Sequence, residues 1–374
     1  MSIKNQSTFT ITFQFILMIL SVLLYDALSL SNTQKVELTI YFTILLPLYS
    51  IYFYFVYIAL KTDKPVNSIS LKYMVFFAIF YRLALFPAQE INELYHVNYL
   101  PVLSPIVQKV IYLSAELVLG FVLVMLLDHF NINRERIVIY AFNPLCVLEF
   151  YFYTNPAILL IFIFWIAVLL HYKNKSWWSV PLFALSSFGI VFPLAGALPF
   201  LVRKFWLRGL ILIGLGLIIF YTTGIEKSLI QPEQRGFFYH LFLMLIPSEW
   251  FLHSENTISN WYIIIAVISV CVVLLDQMKK MWRFFSFQSI TDLQASFMIS
   301  AAVILLMPGM PFWTLVWLMP FMILIPKWSW MGFTVIIQFT LISLAGIIWA
   351  VYLLFFIFLF AEHRDRRSIK GWFL

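Results

Sequence analysis

Pro105-Ile-Val-Gln-Lys-Val-Ile-Tyr-Leu-Ser-Ala-Glu-Leu-Val-Leu-Gly-Phe-Val-Leu-Val-Met-Leu-Leu127 is an apolar run interrupted by two charges, Lys109 and Glu116. A hydrocarbon core of about 30 Å is crossed by about 20 helical residues, so this run is long enough to span one. Lipid offers backbone groups no hydrogen-bond partner, which leaves helices or closed barrels as spanning structures. The strict apolar–polar alternation of a barrel strand is absent here, so the run predicts a membrane-spanning helix.

The same pattern recurs along the chain. Comparable runs occupy 8–30, 38–60, 72–86, 137–151, 156–171, 179–202, 208–224, 258–276, 295–307, 311–325 and 329–360. Of the 374 residues, 63% are hydrophobic and 11% charged, and the mean hydropathy is +0.94. Soluble domains carry roughly 25% charged residues, so a soluble globular chain is excluded. The expected fold is therefore all-α and polytopic, one transmembrane domain over 1–374 with about 12–14 spanning or half-spanning helices. Run 8–30 is too long for a signal-peptide core and has no small-x-small cleavage site, so it reads as a retained first span.

Charge sets the orientation. Run 179–202 contains Pro193 and Pro199 and has basic flanks at both ends, Lys173 and Lys175 before it and Arg203, Lys204 and Arg208 after it. Equal flanks place both ends on one side, which predicts two short helices hinged near Phe192-Pro193. The final run has Gly346 midway and a basic end at Arg364–Lys370, and it too is expected to turn back. With these hinges all but five of the 24 Lys and Arg fall on one side; the exceptions are Lys35, Arg82, Lys109, Lys227 and Arg235. The positive-inside bias then puts both termini in the cytoplasm, in a plasma membrane of bacterial inner-membrane type. The net charge of +7 is accounted for by these flanks, and no basic aromatic module is left over for nucleic acid. Cys146 and Cys271 lie inside apolar runs and read as small core residues.

Two outer connections are long enough to cover a site, 87–104 and 225–257. Pro87-Ala-Gln-Glu-Ile-Asn-Glu-Leu-Tyr-His96 is acidic and lacks Lys and Arg; Glu90 and Glu93, at i and i+3, share a face of a helical turn. Arg82 lies about three turns below them, a cation that either anchors a phosphate beside a general base or snorkels to the interface. Lys109 and Glu116 sit two turns apart near one face of their span. Lys109 reaches toward the outer end, within range of a lipid phosphate. A buried Glu116 must be neutral, paired or facing a wet cavity, since a bare charge there costs several kcal/mol. Segment 225–257 mixes Glu226, Glu233, Arg235, His240, Glu249, Trp250, His253 and Glu255 with apolar stretches, as an amphipathic helix on the outer leaflet would. Glu149 precedes the aromatic turn Tyr151-Phe-Tyr153-Thr-Asn155-Pro156; carboxylates hydrogen-bond sugar hydroxyls and aromatic faces stack on sugar rings, although aromatic belts are also ordinary at interfaces. His240 and His253 have no companion at metal-ligand spacing, so neither metal nor organic cofactor is expected.

Three stretches resemble the GT-C superfamily of polyprenol-phosphate-sugar-dependent glycosyltransferases, in particular its bacterial mannosyltransferase-like members. Phe142-Asn-Pro-Leu-Cys-Val-Leu-Glu149, with Asn155 and Ala157-Ile-Leu-Leu after it, resembles the family's Asn-Pro-Leu…Glu run. Ser187-Phe-Gly-Ile-Val-Phe-Pro193 is similar to its basic loop and hinged pair. Leu306-Met-Pro-Gly-Met-Pro-Phe-Trp313-Thr-Leu-Val-Trp317-Leu-Met-Pro320 resembles its late Pro…Trp…Leu-Trp-Leu-x-Pro segment, and Tyr81-Arg82-Leu stands where the family has an Arg-Leu before its acidic loop. The likeness runs from about Tyr81 to Trp330 and rests on order and topology. Departures accompany it: glutamates replace the loop aspartates, Thr154-Asn155-Pro156 replaces a His-Asn-Asp type of turn, and the Lys before Pro193 and the His near Met310–Phe312 are missing.

The resemblance implies an inverting membrane glycosyltransferase at the outer face, moving a sugar such as mannose from a polyprenyl-phosphate donor to a lipid or glycan acceptor. In it Glu90 or Glu93 is the base, Arg82, Lys109 and Arg235 hold the donor phosphate, and Glu149, Tyr153, Asn155 and His96 bind sugar or acceptor. The departures keep two alternatives open: an inactive relative serving as partner in a membrane glycan-assembly complex, and a lipid-linked substrate transporter or flippase. Against the transporter stands the lack of matched broken helices in two halves.

Overall fold

The computed structural model describes residues 105–147, 149–150, 155–187, 192–202, 268–277, 290–306 and 312–336, with further positions at 52, 56, 78–79, 265–266 and within 211–218 and 352–360. In chain order the helices are α1 (Pro105–His129), α2 (Val138–Ala141), α3 (Pro144–Val147), α4 (Ala157–Tyr172), α5 (Ser176–Ser186), α6 (Phe192–Val202), α7 (Ile290–Leu306), α8 (Met319–Leu324) and α9 (Trp328–Ile336). Tight 3-10 turns occupy Arg134–Ile137 and Phe312–Leu318. Among the described residues there is no strand, and the fold is all-α.

Contacts group the chain into two interleaved units, one of Tyr81–Ile132 and Glu149–Pro326, the other of Met1–Phe80, Asn133–Leu148 and Lys327–Leu374. In the first unit α1 is the long element. Its 25 residues rise about 1.5 Å each, for a length of about 37 Å. Gln108, Lys109, Tyr112, Ala115, Glu116 and Leu119 begin a buried seam that continues through Leu126 and Leu127 at helical spacing. The opposite face is apolar as well and is exposed: Val107, Val110, Ile111, Leu117, Val118, Phe121 and Met125 form a stripe on which Phe121 is 72% exposed. Among the described residues, Val107–His129 is the helix long and apolar enough to cross a membrane.

α1 packs on α4, α4 on α5, and α6 on α7. Both α1 and α4 stop at an asparagine in the left-handed region, Asn131 at φ 55° and Asn174 at φ 59°. The capping bonds match: Ile132 and Asn131 N–H donate to Leu127 and Asp128 O at 2.8 and 3.1 Å, and Lys175 and Asn174 N–H donate to Leu170 and His171 O at 2.9 and 3.1 Å. This is the Schellman pattern, with asparagine where glycine is commoner because its short polar side chain tolerates positive φ. The two ends meet, since the Tyr172 ring lies 5.6 Å from His129 and 5.0 Å from Phe130.

The core of this unit is aromatic. Phe164 of α4 lies 5.2 Å from Phe183, 6.5 Å from Phe200, 6.2 Å from Trp317 and 6.1 Å from Phe321; edge-to-face pairs of this kind gain about 0.5–1.5 kcal/mol beyond burial. Run 179–202 is indeed two helices, α5 and α6, broken between Ser186 and Phe192, which adjoins the expected position near Phe192-Pro193. Pro193 falls in the first turn of α6, where its missing N–H has no intrahelical acceptor to lose. α6 and α7 approach closely because Gly196 faces serines: Ser296 Oγ donates to Gly196 O at 2.5 Å, and a Cβ on Gly196 would stand 2.5 Å from Ser300 Oγ. Small residues at a crossing let helix backbones approach, as in membrane bundles.

In the second unit, run 137–151 is not one helix. α2 ends at Ala141 and α3 restarts at Pro144. Proline lacks an N–H and disfavours α geometry in the residue before it, which breaks the run at Asn143. Asn143 is fully buried and repairs the break. Its Oδ1 accepts from Leu145 and Cys146 N–H at 3.0 and 3.4 Å, and its Nδ2 donates to Tyr52 OH at 3.2 Å and Thr334 Oγ1 at 3.3 Å. Three separate stretches of chain thus meet on one amide. Beside them Phe333 and Trp330 of α9 pack on Phe355 at 4.2 and 4.9 Å.

Candidate functional site

Immediately after α3 the chain makes a π-helical turn at Glu149 and Phe150. Such wide turns leave backbone groups to be satisfied from elsewhere and recur at functional sites. Here Asn155 supplies a partner for one of them. Its N–H donates to Glu149 O at 2.8 Å, and its side-chain Nδ2 donates to Glu149 Oε2 at 3.3 Å. Its Oδ1 accepts from Ala157 N–H at 3.0 Å, so the same side chain caps the start of α4. Pro156 holds the entry to that helix.

The result is a carboxylate fixed at its backbone and at one oxygen. Glu149 is 3% exposed, and Asn155 is its partner among the described residues. Burying an ionisable carboxyl with one hydrogen bond is costly unless further donors approach. Among the described residues no donor reaches Oε1, whose acceptor positions suit a hydroxyl donor, and the amide that orients Oε2 is itself locked by the helix start.

Lys109 and Glu116 both fall on the buried seam of α1, and Lys109 is 0% exposed. A lysine enclosed this fully in an apolar helix needs a partner within the protein. Of the sequence-predicted site residues, the described ones are thus Lys109, Glu149 and Asn155; the structure brings Glu149 and Asn155 together. Arg82, Glu90, Glu93, His96, Tyr153 and Arg235, and the connections 87–104 and 225–257, lie outside the described residues. Among the described residues no three His, Cys, Asp or Glu gather as a metal site would require.

Described residues of the late stretch of the resemblance belong to the packed fold. Trp317 is buried against Phe164, and Pro320 stands in the first turn of α8. Asn143 is the polar hub that sequence reasoning passed over; the signal for it was the Asn-Pro pair inside an apolar run, where an amide has to find partners for all its groups. Comparison with protein-family models, with curated proteins and with solved structures yields no match for this chain.

Proposed function

We propose that this chain is a multi-pass membrane glycosyltransferase that transfers a sugar, mannose in the first instance, from a polyprenyl-phosphate donor to a lipid or glycan acceptor at the outer face. The observation that carries the reading is the buried Glu149–Asn155 pair, a carboxylate held by an amide, with Tyr151, Phe152 and Tyr153 between them in sequence. It supplies the hydrogen-bond acceptor that a sugar hydroxyl needs in an apolar surround. The apolar exposed face of α1 supports a lipid environment, from which a polyprenyl chain would enter.

In this mechanism Glu90 or Glu93 takes the proton of the acceptor hydroxyl, whose oxygen attacks the anomeric carbon from the side opposite the phosphate. The bond to the phosphate oxygen breaks, and polyprenyl phosphate leaves with the bonding pair. Arg82, Lys109 and Arg235 offset its charge. Glu149, Asn155, Tyr153 and His96 hold the sugar or the acceptor. Loss of a positioned base costs about 10²–10⁴-fold in rate. Purified protein supplied with polyprenyl-phosphate mannose and candidate acceptor lipids should therefore transfer sugar, and Glu90→Gln with Glu93→Gln should abolish transfer. No transfer to any acceptor, together with an unchanged cellular glycan profile in that double variant, sinks the reading.

One observation favours a second reading. Gly189-Ile-Val replaces the lysine that precedes the hinge proline in the enzymes this chain resembles. A non-catalytic relative would keep the fold and a lipid or subunit contact. It predicts that the outer carboxylates can be neutralised without phenotype, while a disrupted helix face loses a co-purifying subunit.

A further inference from the structure

We infer that the turn between α4 and α5, with the adjoining end of α1, is a docking rim for acidic phospholipid headgroups. The exposed apolar stripe of α1 stops at Met125, and the next residues, Asp128 and His129, are exposed and polar. The boundary between hydrocarbon and water therefore falls at that level. The ring contacts of Tyr172 with His129 and Phe130 bring the end of α4 to the same level, so the turn that follows stands at this boundary.

What the turn offers there is specific. Lys173 and Lys175 are exposed on either side of Asn174, whose left-handed cap turns the chain within three residues. Trp177 and Trp178 follow at the first turn of α5, 65% and 71% exposed. Two adjacent tryptophans left in water would expose a large apolar area without gain. At headgroup height their rings sit among glycerol and acyl carbonyl groups, where indole N–H finds acceptors. The lysines alongside add cations at phosphate height, and Asp128 is the acidic group of the α1 end. Aromatic anchors with cations fit a lipid of net negative charge better than a zwitterionic one. The inference rests on the membrane reading and is independent of sugar transfer.

The test uses the full chain reconstituted in nanodiscs of phosphatidylcholine with phosphatidylglycerol. Native mass spectrometry reads which lipids are retained. The wild-type chain should retain phosphatidylglycerol over phosphatidylcholine, and Lys173→Gln with Lys175→Gln should cut that preference about thirtyfold, the scale expected for two surface lysines. Lys173→Arg with Lys175→Arg should keep it. A bimane label at Trp178→Cys, in a Cys271→Ser background, should be quenched by lipids brominated near the headgroup more than by lipids brominated at the chain end. Retention without headgroup preference, or a preference that survives the Gln pair, overturns the inference and leaves the membrane reading standing. So does a label quenched by aqueous acrylamide and by neither brominated lipid, the result expected if a protein partner or water covers the rim. A chain that retains no lipid at all overturns the membrane reading itself.

Discussion

Asn143 and Asn155 perform the same task at two breaks in the chain. Each follows the loss of a helical ladder, each precedes a proline, and each spends its Oδ1 on backbone N–H groups while its Nδ2 reaches a side chain. They differ in that partner. Asn143 reaches Tyr52 and Thr334, neutral groups that knit the fold, whereas Asn155 reaches a carboxylate. Replacement of Asn143 by Ala removes two donated bonds and uncaps α3, and should destabilise the protein by about 2–4 kcal/mol. A thermal melt in detergent within error of the wild type would contradict this. Glu149→Gln keeps size and shape and leaves the cap of α4 intact, so it should melt near the wild type yet lose acceptor capacity for a sugar. Under the proposed function its transfer rate falls at least tenfold; full activity at wild-type stability would remove Glu149 from the site. The sequence alone exposed Glu149 and Asn155 as candidates, because a carboxylate before an aromatic turn stands out in an apolar chain. It did not show that Asn155 orients Glu149, since that bond depends on a π-helical turn that no periodicity predicts.

At the scale of elements, what was legible is what length and hydropathy control. Helix α4 was expected at 156–171 and forms at Ala157–Tyr172; α1 was expected to end at 127 and ends at His129. The breaks were harder. Proline in a helix is tolerated where the lost hydrogen bond falls in the first turn, so Pro193 opens α6 just after the break expected near it. Helix α7 begins at Ile290, five residues before its apolar run, and brings Asp292 into its first turn; a carboxylate there complements the helix dipole. The crossing of α6 on α7 was invisible to hydropathy because it turns on small residues. Gly196→Ala should destabilise by about 1–3 kcal/mol, the range for overpacking, as its Cβ would meet Ser300 Oγ. Adding Ser300→Ala removes that oxygen and leaves Ser300 Cβ at an ordinary 3.8 Å. The double variant should therefore recover most of the loss. A double-mutant cycle measures this; additive effects of the two changes would mean that the helices do not approach as described.

For the whole molecule, the prediction concerns sidedness. Five exceptions among 24 Lys and Arg make the charge distribution strongly one-sided once the chain reverses within 179–202 and 329–360. A break between α5 and α6 is present within the first of these. If the chain reverses there, it enters α5 at Lys175 and leaves α6 near Arg203 on one side. If α1 crosses to the level of Lys173 and Lys175, the acidic connection 87–104, which precedes it, is expected on the other side. Single cysteines decide this in a Cys271→Ser background, Cys146 being buried. In right-side-out vesicles, Asn92→Cys should react with a membrane-impermeant maleimide and Lys175→Cys should react only after the membrane is opened. Labelling of both from outside would deny that α1 crosses. The reverse pattern would invert the molecule, putting Glu90 and Glu93 in the cytoplasm, where a donor sugar presented at the outer face could not reach them.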